Sequence, residues 1–140
     1  MQNRFAKKVD RSQSAIVKAF RSAGTQVVVT NSGNDFPDLL VCKKSWKLVE
    51  VKEPDGSFSR GQLVFLATAT GPVDIVVGED DAMMSLKEDR FLSPNEQGRI
   101  GIWLATNDQE TISVQKLLTM IGRLEKKSGK GGSERRKSCS

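Results

Sequence analysis

A turn of only three residues, 43–45, joins two apolar runs near the middle of this chain. The runs are PDLLVC at 37–42 and KLVEVK at 47–52. Parallel strands need a crossover of about a dozen residues or more, so a link this short forces an antiparallel hairpin. A β-branched run at 26–30, QVVVT, precedes the hairpin across the loop NSGND, and a fourth strand is expected at 73–77.

Helical patterns flank these strands. Ile16, Val17, Phe20 and Ala23 share one face of a helix expected from Asp10 to Ala23, with Asp10 and Gln13 spaced as a capping box and Gly24 as its stop. EPDGSF at 53–58 reads as a turn, and Ser59 then caps a helix over 60–69 with Gln62 as its capping-box partner. Gly71-Pro72 ends that helix. Glu79, Asp80 and Asp81 open another, to about residue 87, where acidic groups suit the positive N-terminal end. The order α-β-β-β-α-β-α is an α/β layer arrangement. Beyond residue 88 the chain predicts a polar loop (RFLSPNEQGR), a fifth strand over 100–105, and a helix over 111–127. Val114, Leu117, Leu118, Ile121 and Leu124 form an apolar stripe on that helix. The expected organisation is therefore a flexible basic lead (1–9), a core (10–88), a C-terminal extension with an amphipathic helix (89–127) and a disordered basic tail (128–140).

Charge is unevenly spread. Residues 126–140 hold six Lys/Arg and one Glu, residues 1–62 hold eleven basic and six acidic groups, and residues 63–125 hold five and ten. The basic half contains the hairpin, and basic patches favour nucleic acid or acidic membranes. No apolar run approaches the roughly 18 residues of a membrane span, and the start lacks the apolar stretch of a secretory signal. Two distant cysteines, Cys42 and Cys139, point to a reducing, cytoplasmic setting rather than a disulfide. The absence of histidine excludes His-based triads and His-liganded zinc, leaving hard, oxygen-liganded cations as the metals such a chain can hold.

Within the hairpin, Glu50 and Lys52 are two apart on a strand and share a face, while Val49 and Val51 take the other. Asp38 opens the neighbouring strand, where the hairpin can bring it beside Glu50. Two carboxylates in contact repel unless a proton or cation lies between them. Mg²⁺ takes oxygen ligands, and the Val51 carbonyl can add one to the pair. A cation there activates water, and Lys52 can orient that water or steady the charge building on a phosphate.

The succession of a helix, DFPDLLV, WKLVEVKEPDG, SRGQLVFL and GPVDIVV with EDDAM resembles the virus-type replication-repair nuclease (VRR-NUC) domain, a branch of the PD-(D/E)XK nuclease superfamily. The resemblance covers about residues 10–88. It implies a restriction-endonuclease-like mixed sheet flanked by helices, dependence on Mg²⁺ or Mn²⁺, and cleavage of DNA. It implies a homodimer similar to Holliday-junction resolvases, working on branched or structured DNA in the cytoplasm of a bacterial or phage-infected cell. Asp38 and Glu50 then correspond to metal ligands, with the Val51 carbonyl, and Lys52 to the catalytic lysine. Gln62 corresponds to a glutamine such nucleases often keep on the following helix, unless it is a plain cap. Where these nucleases usually carry a glutamate on the first helix, this chain has Gln13, on the inward face with Ile16 and Val17. It is either a site residue or a helix cap, and Asp10 is the other candidate for the glutamate's part.

Lys7, Lys8, Arg11, Lys43, Lys44 and Arg60 are candidate phosphate contacts. Trp46 and Trp103 have rings able to stack on bases, but a hairpin turn and an apolar run are settings for packing residues. The functions in view are a metal-dependent endodeoxyribonuclease and, as the alternative, a catalytically degenerate DNA-binding or regulatory protein that keeps the nuclease fold. A sequence-specific restriction-type nuclease has little chain left for a recognition domain.

Overall fold

The computed structural model describes residues 11–124 except 32 and 34, and Arg11 without its side chain. The expected basic lead, the Asp10 cap, Cys139 and the basic tail lie outside the described residues. The chain runs α1 (Arg11–Ser22), β1 (Gln26–Val29), β2 (Leu39–Cys42), β3 (Trp46–Val51), β4 (Ser57–Ser59), α2 (Arg60–Thr68), β5 (Val73–Val76), α3 (Glu79–Lys87), α4 (Pro94–Thr106), β6 (Thr111–Ser113) and α5 (Val114–Met120).

The main sheet has the order β1-β2-β3-β5. The short turn makes β2 and β3 antiparallel as expected, with Leu39 opposite Val49. β5 returns parallel to β3 after the α2 crossover, with Glu50 opposite Ile75. Strand alternation divides the core in two. On one face Ile16, Val17 and Phe20 of α1 and Ala82 and Leu86 of α3 pack on Leu39, Val41, Val49, Val51 and Val76. On the other, Leu63 and Leu66 of α2, Ile100 and Trp103 of α4, and Val114, Leu117 and Leu118 of α5 pack on Val73 and Ile75. The fold is mixed α/β in layers.

Three expectations fail beyond residue 52. The turn at 53–58 ends in a strand, because β4 pairs with β6 in a separate two-stranded sheet that buries Phe58 opposite Ile112. The fifth strand over 100–105 is instead the second half of α4. Ser93 and Glu96 form a capping box there with Pro94 in the first turn, so the supposed polar loop carries a helix start. The helix over 111–127 gives its first three residues to β6 and runs only to Met120, with Gly122 at φ 88° just beyond. Residues 89–124 are not an appendage, since Leu92, Ile100, Trp103 and Ile121 share one core with Phe58, Leu63 and Val73.

Asp74 on β5 locks this arrangement. It is fully buried, and its carboxylate accepts from Arg90 Nε at 2.8 Å, Arg123 Nη1 at 2.7 Å and Ser85 Oγ at 2.6 Å. Arg123 also binds Glu96 of α4, and Arg90 binds Asp81 of α3. Burial pushes the Glu96 carboxyl up, but hydrogen bonds from Arg123 and Ser93 outweigh it and hold the group below its ordinary range. Lys47 joins from β3, its Nζ donating to Ser85 Oγ at 2.6 Å and to the Arg90 carbonyl at 2.6 Å, and burial lowers its pKa. Beside Asp74, the outer edge of β5 is closed by the Leu92 N–H on the Val73 carbonyl and by Arg90 Nη2 on the Ile75 carbonyl.

Removing the carboxylate strands two half-buried guanidinium groups. Asp74→Ala is therefore expected to cost about 3–5 kcal/mol in urea denaturation. A loss below about 1 kcal/mol would show that this cluster does not hold the layers together.

Candidate functional site

Asp38 lies one step beyond the Leu39–Val49 pair, so the hairpin register sets it opposite Glu50 on the same sheet face. Its position is fixed from behind. Thr30 Oγ1 donates to the Pro37 carbonyl at 2.7 Å, and the Thr30 N–H donates to the Asp38 carbonyl at 2.9 Å. The Asp38 carboxylate accepts the Val51 N–H at 2.9 Å. In an extended strand a residue's carbonyl points the same way as its N–H, so the Val51 carbonyl faces the Asp38 side as well.

Glu50 is 3% exposed. Burial first, and the neighbouring Asp38 charge second, push its carboxyl from 4.5 up to about 8, against a smaller opposing pull from Lys52. The Lys52 ammonium sits 3.7 Å from Glu50 Oε2. It donates to the Ser57 carbonyl at 2.6 Å and to Gln62 Oε1 at 2.9 Å, and it lies 4.8 Å from the centre of the Phe58 ring.

Gln62 caps its helix and also contacts Glu50 and Lys52. Its Oε1 accepts the Ser59 N–H at 3.0 Å, closing the capping box that starts α2. The same amide accepts from Lys52 and donates through Nε2 to Glu50 Oε2 at 3.3 Å. Helix cap and site residue are one side chain, because the first turn of α2 stands directly over the end of β3.

Gln13 is buried on the inner face of α1, the layer packed on Val49 and Val51, whereas Glu50 projects from the opposite face of β3. Lys7, Lys8 and the side chain of Arg11 lie outside the described residues. Lys43 and Lys44 are exposed on the hairpin turn. Arg60 is occupied structurally rather than open to a phosphate. Its guanidinium donates to the Leu104, Asn107 and Gln109 carbonyls and lies 5.5 Å from the Trp103 ring, satisfying the end of α4. Trp103 is buried as expected of a packing residue, but Trp46 is 44% exposed.

Two residues at the site escape the sequence reading. Phe58 lies under Lys52 because β4 pairs with β6, a partner far along the chain. Asp35 lies in the loop before the hairpin, where its charge also raises Glu50. Its carboxylate rests against Gly61 in the first turn of α2 so closely that a Cβ at Gly61 would collide with it. The glycine in SRG at a helix start was the available signal, since a helix otherwise disfavours glycine. Among the described residues, no three or more His, Cys, Asp or Glu side chains gather as a metal cage. Asp38 and Glu50 are a pair, which with a carbonyl falls within the one or two carboxylates that Mg²⁺ commonly takes.

The raised Glu50 carboxyl makes a signed prediction. Between its ordinary 4.5 and about 8 the folded protein keeps a proton that the unfolded chain has released. In EDTA, stability should therefore fall as pH rises through that window. Glu50→Gln removes the effect. Its Tm should match the wild type near pH 5 and exceed it at pH 8, by an amount on the order of a few kcal/mol in stability. An equal difference at both pH values would overturn the assignment.

No protein-family model, curated protein or solved structure matches this chain, so the reading of the site rests on its own geometry.

Proposed function

We propose that this chain is a Mg²⁺- or Mn²⁺-dependent DNA endonuclease of the PD-(D/E)XK kind, hydrolysing phosphodiester bonds in branched or structured DNA as a homodimer. One observation carries the reading. Asp38 and Glu50 face each other across a hairpin register, with Lys52 and Gln62 tied to Glu50 on the same side.

The donor set suits a hard cation. Asp38, Glu50 and the Val51 carbonyl offer only oxygen, and a buried carboxylate beside a second one invites positive charge. When bound, such a cation supplies Lewis acidity, easing attack by water on a phosphodiester and neutralising charge on the phosphate. The residues themselves do the positioning. The backbone of Thr30 and the Val51 N–H hold Asp38 in place. Gln62 orients Glu50 from above. Lys52 is anchored by Ser57 and Gln62, which leaves it one free donor and a fixed positive charge beside Glu50. There it steadies the negative charge that builds on the phosphate as the bond breaks. Uncatalysed phosphate-ester hydrolysis is among the slowest reactions that enzymes accelerate, so each of these contributions is needed.

The test is cleavage of junction, flap and linear DNA with Mg²⁺ or Mn²⁺. Asp38→Ala and Lys52→Ala should each lose about 100-fold or more against the wild type, and Glu50→Ala should abolish Mn²⁺ binding by calorimetry. Equal residual cleavage in all of them, with DNA binding intact, would assign the chain to the non-enzymatic alternative.

A further inference from the structure

The sheet face that carries Glu50 is only half covered. The core on that side draws on Val73 and Ile75 of β5, with Leu48 of β3 packed against it, but on no residue of β1 or β2. Alternation and register set Val28, Leu40 and Trp46 on this same face, because Val28 pairs with Leu40 and Leu40 with Leu48. Val28 is 48% and Trp46 44% exposed. Between the hairpin and α2 an open groove of about 420 Å³ is lined by Leu40, Trp46, Leu48, Phe65, Thr68 and Ala69. Phe36, two residues before Asp38, packs edge-on against Phe65 with ring centres 5.3 Å apart. The exposed Lys43 and Lys44 stand on the turn beside Trp46.

The groove and the site share one sheet face. Trp46, Leu48 and Glu50 are alternate residues of β3, so the indole and the carboxylate share a face about 13 Å apart at the ~3.3 Å rise of a strand. That distance is about four nucleotides of a stacked single strand at ~3.4 Å each, and fewer when the strand is extended. An exposed aromatic ring over an apolar groove, with two exposed lysines on the adjoining turn, is a construction on which unpaired bases can stack, while a duplex keeps its base faces hidden. The paired lysines favour a polyanion over an apolar protein partner.

We propose that this groove binds unpaired nucleotides of a DNA strand entering the Asp38–Glu50 site, with a base stacked on Trp46 and flanking phosphates met by Lys43 and Lys44. It rests on the nuclease reading for its direction toward the site, but its binding test does not need cleavage. The platform gives the chain a means of preferring DNA with a single-stranded segment over plain duplex.

The experiment is fluorescence anisotropy in EDTA, with a labelled oligothymidylate and a blunt duplex of equal length. The wild type should prefer the single strand. Trp46→Ala should weaken that binding about tenfold or more and leave the duplex unchanged, while Trp46→Phe should retain most of it. Replacing Lys43 and Lys44 with alanine should flatten the salt dependence. Identical single-strand affinity in the wild type and Trp46→Ala would overturn the proposal. A Trp46→Ala change that converts a dimer to a monomer in light scattering without altering single-strand affinity would also overturn it, marking the groove as a contact between copies. Because cleavage is not read, a catalytically inactive chain that still shows this preference would sink the nuclease reading and leave the groove standing.

Discussion

A buried carboxylate on an outer strand of the sheet organises much of this molecule. Asp74 has no exposure and would be costly as an unpaired charge. The chain answers with two arginines from separate segments, Arg90 after α3 and Arg123 after α5. Arg123 extends the hold to Glu96 at the start of α4. Through this cluster residues 89–124 join α2 in the second layer of the fold. That layer supplies β6, which pairs with β4, and β4 ends at Ser59, the cap of α2. The position of Gln62 over Glu50 therefore descends, contact by contact, from a salt-bridge cluster elsewhere on the sheet.

The candidate site inherits an electrostatic conflict from the same architecture. Hairpin register sets Asp38 against Glu50, and Glu50 itself is buried away from screening water. Burial first and the Asp38 charge second raise the Glu50 carboxyl, and Lys52 at 3.7 Å offsets only part of that rise. A surface ion pair would have no such residue of strain to resolve, because water would dissipate it. Here the imbalance is maintained by backbone hydrogen bonds on Asp38 and by a glutamine shared between a helix cap and the site. Helix capping and the candidate site draw on the same side chain.

Much of this was legible in the chain. A three-residue link dictated the antiparallel hairpin, and period-two alternation put Glu50 and Lys52 on one face and Val49 and Val51 on the other. Ser59 with Gln62 announced α2, and the acidic run at 79–81 announced α3. The second half of the chain was less readable. Ile100 to Ala105 is apolar enough to pass for a strand, and the Ser93–Glu96 capping box that starts the helix lies inside a stretch rich in turn residues. The β4 and β6 strands are three residues each, too short for periodicity to show, and each exists because the other is brought to it. Arg60 carried a charge suited to phosphate, yet the helix end it satisfies is far away in sequence.

The sequence by itself determined what is local: the antiparallel hairpin, the Ser59–Gln62 cap, and the shared face of Glu50 and Lys52. These depend on loop length and side-chain period, which act over a few residues. Only the tertiary structure decided that Gln62 bridges cap and site, that Phe58 lies beneath Lys52, that Gln13 belongs to the opposite layer, and that Trp46 is left uncovered. Each of those is a matter of which distant segment buries which face. That choice follows from the total apolar area and buried charge satisfied across the whole chain, which no short stretch of residues encodes.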